Sequence, residues 1–189
     1  MPPPLRLVLG GCVLCLAGCG NSRTLVPDTA VPAPPHGFRT LRLSHAAVSL
    51  ITPRNWTVTG QSAPLVLTLN SGPAVVALWR FARAAAPPGS GAALAAARAA
   101  LITATRARDR TLALLSSRLM RIDGARAVQL QARERIGGQV RRVSSTHVYV
   151  PGAELVLDEY APPAQYAAID RSVFAPIRRS LALLPAGSR

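Results

Sequence analysis

The sequence predicts an α+β fold, an antiparallel sheet flanked by helices, and three observations predict it. Residues 38–82 alternate apolar and polar side chains in short runs, the period of two that marks strands. Residues 90–108 change to a period of three and four. Alternation then returns over 111–161 and yields to a second helical period that runs to 184. Strands and helices grouped in blocks, rather than alternating one by one, are the order of an α+β domain.

The chain opens with a positive end, the terminal amine and Arg6, followed by an uncharged apolar run over residues 7–16. That length suits the hydrophobic region of an export signal and falls short of the ~20 residues of a membrane-spanning helix. The run ends Leu16-Ala17-Gly18-Cys19, which resembles the lipobox of bacterial lipoproteins at all four positions. The resemblance implies cleavage after Gly18, a diacylglycerol thioether on Cys19 with further acylation of the palmitate kind, and a protein held by lipid to the outward side of a bacterial membrane. Two or three chains anchor far better than one, since each buried CH₂ contributes ~0.8 kcal/mol. Cys12 and Cys15 then leave with the signal. Their C-x-x-C lacks the strand, helix start or downstream ligands that a redox or metal motif needs. The mature chain keeps one blocked cysteine, so no internal disulfide forms.

The domain reading is a signal peptide at 1–18, a lipidated cysteine and Pro-rich tether at 19–37, one folded domain at 38–184 and a short tail at 185–189. The tether lacks hydrophobic periodicity and reads as extended and disordered, reaching ~3.1 Å per residue. In the domain, "FRTLRLS", "AAVSLI" and "APLVLTLN" read as strands, and Pro53 and Asn55 form a turn before Trp56. In "PAVVALWRFAR", Val75, Ala77, Trp79 and Phe81 share one face and Val76 and Leu78 the other, so this strand is expected inside the sheet, with Trp79 and Trp56 buried. Ser90 follows Pro87-Pro88 as the N-cap of a helix to about 108, whose inward face is Leu94, Ala97, Leu101, Ala104 and Thr105. Gly137-Gly138 between alternating runs marks a hairpin that pairs Ile136 with Gln139 and Arg133 with Arg142. One face of that hairpin, Val128, Leu130, Ala132, Val143, His147 and Tyr149, reads as core. The other, Gln129, Gln131, Arg133, Arg135, Arg142, Ser144 and Thr146, reads as an exposed polar and positive surface. The last helix carries Tyr166, Ile169, Val173, Phe174, Ile177 and Leu181 inward, and Pro176, which cannot continue it, is expected to kink or split it near Ala175.

Twenty-two basic residues, all arginine, face eight acidic ones, a net charge of +14. Such a surface attracts polyanions. Export excludes nucleic acid and leaves anionic lipid, an envelope polymer or an acidic protein as partners, bound at the hairpin face through Arg133, Arg135 and Arg142. Arg133 opposite Arg142 is a like-charge pair that disfavours itself without an anion nearby.

The opening "SLITPRNWTV", the middle "LMRIDGARAVQLQAR" and the close "YAAIDRSVFAPIRRSLAL", in this order of elements, together resemble the Mog1/PsbP-like family over about residues 38–184. The resemblance implies an α/β/α sandwich and a docking or assembly role without catalysis.

Reaction chemistry has no signature here. No G-x-S-x-G elbow exists, His36, His45 and His147 are scattered, and Asp158 and Glu159 point to opposite faces of one strand. Gly89-Ser90-Gly91 lacks the spacing of a phosphate loop. No cofactor or metal is called for. The leading expectation is a non-catalytic, membrane-anchored binding, docking or assembly domain. The alternative is a carrier that holds a lipid or small hydrophobe in a cavity lined by Trp79, Phe81 and Leu101.

Overall fold

The structure, a computed structural model, describes residues 31–185; the calls on the signal segment and Cys19 lie outside the described residues. β1 (Phe38–Leu43) and β2 (Val48–Pro53) pair antiparallel, and β10 (Ala182–Leu183) returns from the far end of the chain to the other edge of β2. The remaining strands are β3 (Thr57–Gly60), β4 (Leu65–Ser71), β5 (Ala74–Ala82), β6 (Ala113–Ile122), β7 (Ala125–Ile136), β8 (Gln139–Val150) and β9 (Ala153–Ala161). They form one antiparallel sheet in the order β3-β4-β5-β9-β8-β7-β6. Helix α1 (Gly91–Arg108) lies over β6 and β7 on one face. Helices α2 (Pro163–Ile169) and α3 (Ala175–Ser180), joined by a π-helical turn over Asp170–Phe174, lie on the other with the small sheet. The α+β class and the layered sandwich hold.

Local signals set the details. The Ser90 hydroxyl accepts from the Ala93 N–H at 3.1 Å and starts α1. Gly137 and Gly138 have φ of 57° and 78°, the left-handed pair that a two-residue hairpin turn needs. That turn gives the expected register, Ile136 opposite Gln139 and Arg133 opposite Arg142. β5 lies between β4 and β9, as its two apolar faces require.

The principal core lies between the sheet and the C-terminal helices. Leu69, Val76, Leu78, Leu155 and Leu157 meet Tyr166, Val173, Phe174 and Ile177 there, closed by Val48 and Leu50 of β2. A smaller cluster under α1 joins Leu94 to Val128, Leu130 and Tyr149.

Three expectations need correction and one is made specific. First, the polar hairpin face is not an open surface. Gln129, Ser144 and Thr146 are fully buried beneath the C-terminal helices. The Gln129 amide donates to Ser144 Oγ at 2.9 Å and to Thr146 Oγ1 at 3.2 Å, and its carbonyl accepts from Arg118 at 2.6 Å. Polar groups that satisfy one another across strands can be buried, and a sheet covered on both sides turns a period of two into a division between two interiors. Second, of the kink or split expected near Ala175 the structure has the split, and it takes the form of a widened turn. Pro176 has no N–H for the carbonyl four residues back, and the Ala175 N–H bonds to the Asp170 carbonyl, five residues back. Third, Ala104 is exposed, and Ile102 takes its place on the inward side of α1. Fourth, the tether is ordered by Ala33. The Trp56 indole donates to the Ala33 carbonyl at 3.1 Å, Asn55 accepts from the His36 N–H at 2.9 Å, and its amide donates to the Pro34 carbonyl at 2.8 Å. The Pro53–Trp56 turn thus clamps the incoming chain as well as anchoring the core.

Candidate functional site

α1 is built largely of alanine and packs mainly over β6 and β7, with Leu94 reaching Tyr149 of β8, so it leaves much of β5 and β9 open on its face of the sheet. The gap is a cavity of about 440 Å³, within the roughly 300–1,000 Å³ usual for ligand pockets. Leu101, Ile102, Leu112 and Leu114 wall one side. Trp79 and Phe81, two positions apart on β5, wall the other; their rings are stacked 6.0 Å apart and 9° from parallel. Leu130, Ala132, Val143 and Val156 make the apolar floor. Trp79 is therefore not the core residue expected of it: it is half-buried, and Phe81 beside it is 42 % exposed. The three residues named from sequence as the mark of a carrier cavity, Trp79, Phe81 and Leu101, do line one.

A chain of polar side chains crosses the floor. Ser145 and Asp158 are directly opposed on β8 and β9, and the Ser145 hydroxyl donates to Asp158 Oδ1 at 2.5 Å. His147 Nε2 lies 3.1 Å from Ser145 Oγ, and His147 Nδ1 lies 2.6 Å from Glu154 Oε1. Burial raises the pKa of Asp158, while its bond from Ser145 and the nearby His147 hold it down. The Trp79 indole N–H also favours the charged form of Asp158, though it stops short of a hydrogen bond. At the other end of the cavity, burial raises Glu134 against the pull of Arg108, and burial with the Asp158 charge raises Tyr160.

Ser145, His147 and Glu154 have the spacing of nucleophile, base and orienting carboxylate, yet the arrangement works against acyl transfer. The Ser145 proton points to Asp158. With that proton committed to the carboxylate, none is directed at His147 Nε2, and the ring is not placed to take one from Ser145. Both edges of β8 are paired, by β7 and β9, so its N–H groups are spent in the ladder and none is left to stabilise an oxyanion. Among the described residues no three of His, Cys, Asp and Glu come together as a metal site.

The sequence-derived binding residues lie on the opposite face of the sheet. Arg133 and Arg135 are exposed, and the Arg135 guanidinium caps the Gly138 carbonyl at 2.8 Å. Arg142 turns inward: its guanidinium lies 5.1 Å from the centre of the Tyr166 ring and donates to Gln131 at 3.0 Å. The hairpin arithmetic brings the three arginines to one face, but it does not show that Tyr166 takes up one of them.

No protein-family model matches the chain, and no curated protein matches it. Solved structures do. Cyanobacterial PsbP (CyanoP) of Synechocystis is similar at 11 % identity with a TM-score of 0.58, over 77 % of this chain and 92 % of that one. LpqN of Mycobacterium tuberculosis, described as involved in cell envelope biogenesis, is similar at 16 % identity and a TM-score of 0.51, over 82 % of this chain and 90 % of that one. A protein of Bacteroides thetaiotaomicron gives 10 % identity and 0.51 over 80 % of this chain and half of that one. At such identities the likeness is one of fold, and the fold of this chain is PsbP-like.

Proposed function

We propose that this protein is a non-catalytic binding protein of the bacterial envelope that carries a lipid or small hydrophobic ligand in the cavity between α1 and the sheet. The observation that supports this reading is the cavity itself: about 440 Å³ of mostly apolar space, walled by stacked aromatics, in a protein whose main core is complete without it. Purification from producing cells followed by native mass spectrometry and lipid extraction tests it. The expected result is a bound apolar molecule that a Leu101→Trp variant, folded by circular dichroism, no longer retains. An empty parent that also fails to bind any chain-bearing amphiphile overturns the reading.

Anchoring belongs to the same proposal. Among the described residues no helix is long and apolar enough to cross a membrane. Cys19 is the proposed attachment point. Cys19→Ser is expected to abolish incorporation of a fatty-acid label and shift the protein away from membranes; unchanged labelling removes the lipoprotein reading.

A second reading, docking to an anionic lipid surface, envelope polymer or acidic protein, is favoured by the exposed, adjacent Arg133 and Arg135. Exposed charges change stability by less than ~0.5 kcal/mol. Arg133→Glu with Arg135→Glu is therefore expected to melt like the parent and to weaken salt-sensitive binding to anionic vesicles. Arg142→Glu is expected to destabilise, because it sets a carboxylate against the Tyr166 ring. A double variant that binds vesicles like the parent reduces the pair to a solvated surface.

A further inference from the structure

The carrier reading leaves open what kind of molecule the cavity takes, and its volume and mouth restrict the choice. The space, about 440 Å³, lies toward the lower end of the range usual for ligand pockets. That suits a ligand with one chain better than the paired chains of a phospholipid.

The charge at the mouth restricts it further. Arg106 and Arg108, in the last turn of α1, both line the cavity and are both exposed. Neither forms an ion pair with a described residue; Arg108 feels Asp109, Glu134 and Asp158 only at a distance. Two of those carboxylates, Glu134 and Asp158, line the same cavity. Asp158 is occupied by Ser145 on the floor, and Glu134 stands inside the mouth in a setting that disfavours its charge. The outermost charges of the site are thus two free guanidiniums. They sit within a molecule of net charge +14, whose field draws anions inward. Guanidiniums pair with carboxylate and phosphate in a bidentate way that no neutral head group matches.

Resting on the carrier reading, we infer that the ligand is a single-chain anionic amphiphile, its chain between Leu101, Ile102 and the Trp79–Phe81 stack and its head group on Arg106 and Arg108.

The full chain, produced as Cys19→Ser so that no anchor competes, is titrated by calorimetry and tryptophan fluorescence. The probes share one chain and differ in charge: dodecanoate, dodecanoylglycerol and dodecylammonium, each below its micelle concentration. Dodecanoate is expected to bind about tenfold more tightly than the other two, with a steep salt dependence. Arg106→Ser with Arg108→Ser is expected to bring dodecanoate down to the affinity of dodecanoylglycerol, while Leu101→Trp removes binding of all three. Equal affinity for the three probes, or a preference that survives loss of both arginines, overturns the anionic assignment and leaves the carrier standing. Binding of none overturns the carrier itself.

Discussion

Arg178→Met is expected to cost about 3–5 kcal/mol, a large share of the roughly 5–15 kcal/mol that holds a domain of this size. Arg178 is buried in the last helix and donates from Nη1 to Glu159 Oε2 and from Nη2 to Asp170 Oδ1, the latter at 3.1 Å. Glu159 is fully buried in β9, so loss of the guanidinium leaves a core carboxyl group that has lost its donor and has no cation to ionise against. Burial pushes the Glu159 carboxyl up from 4.5 to about 8, against the opposing pull of Arg178. The folded state therefore keeps a proton that the unfolded chain has released. The stability this confers is complete below about pH 4.5 and is lost as pH rises through 8. Without Arg178 the shift grows, so the cost of Arg178→Met should be greater at pH 8 than at pH 5. Chemical denaturation of parent and variant across that range measures it. Adding Glu159→Leu removes the orphan and should recover most of the loss, since apolar replacement of a buried pair is often neutral. A cost that is small and flat with pH would show that the pair is solvated.

The pair also marks the limit of what the sequence discloses. Where one local rule acts, the sequence is legible: glycines at 137 and 138 determine the β7–β8 register, Ser90 starts α1, and two apolar faces put β5 inside the sheet. The polar floor was within reach of the same rule. The Pro151-Gly152 turn sets Val150 opposite Ala153, and counting back from it puts Ser145 opposite Asp158 and His147 diagonal to Glu154. What periodicity cannot show is which of two covered faces is the deeper. It therefore took Gln129, Ser144 and Thr146 for a surface. Nor can it show which side chain of a later helix descends onto a strand: Arg178 on Glu159 and Tyr166 against Arg142 are choices of packing between remote segments. The cavity is an absence of side chains, and its signal is indirect, an alanine-rich helix too slight to cover the stacked Trp79 and Phe81.

The two tryptophans separate stability from binding. Trp56 is 3 % exposed, meets Phe174 edge-on with ring centres 6.4 Å apart, and holds the incoming chain through its indole N–H. Trp56→Ala removes a filled volume in the main core and is expected to cost about 3–5 kcal/mol. At 2–4 °C per kcal/mol for a chain of this length, Tm should fall by roughly 10 °C. Trp79 adjoins space that is already empty, so its loss opens little new cavity. Trp79→Ala forfeits mainly the stack on Phe81, ~0.5–1.5 kcal/mol beyond the area lost. Its larger effect is expected in binding, where it removes one wall of the chain site. Thermal melts with amphiphile titrations on both variants test the division. Trp56→Ala should lower Tm and, while folded, keep its ligand affinity; Trp79→Ala should keep most of its Tm and lose affinity. A Trp79→Ala that melts as low as Trp56→Ala would return Trp79 to the core and leave Phe81 to wall that side of the cavity alone.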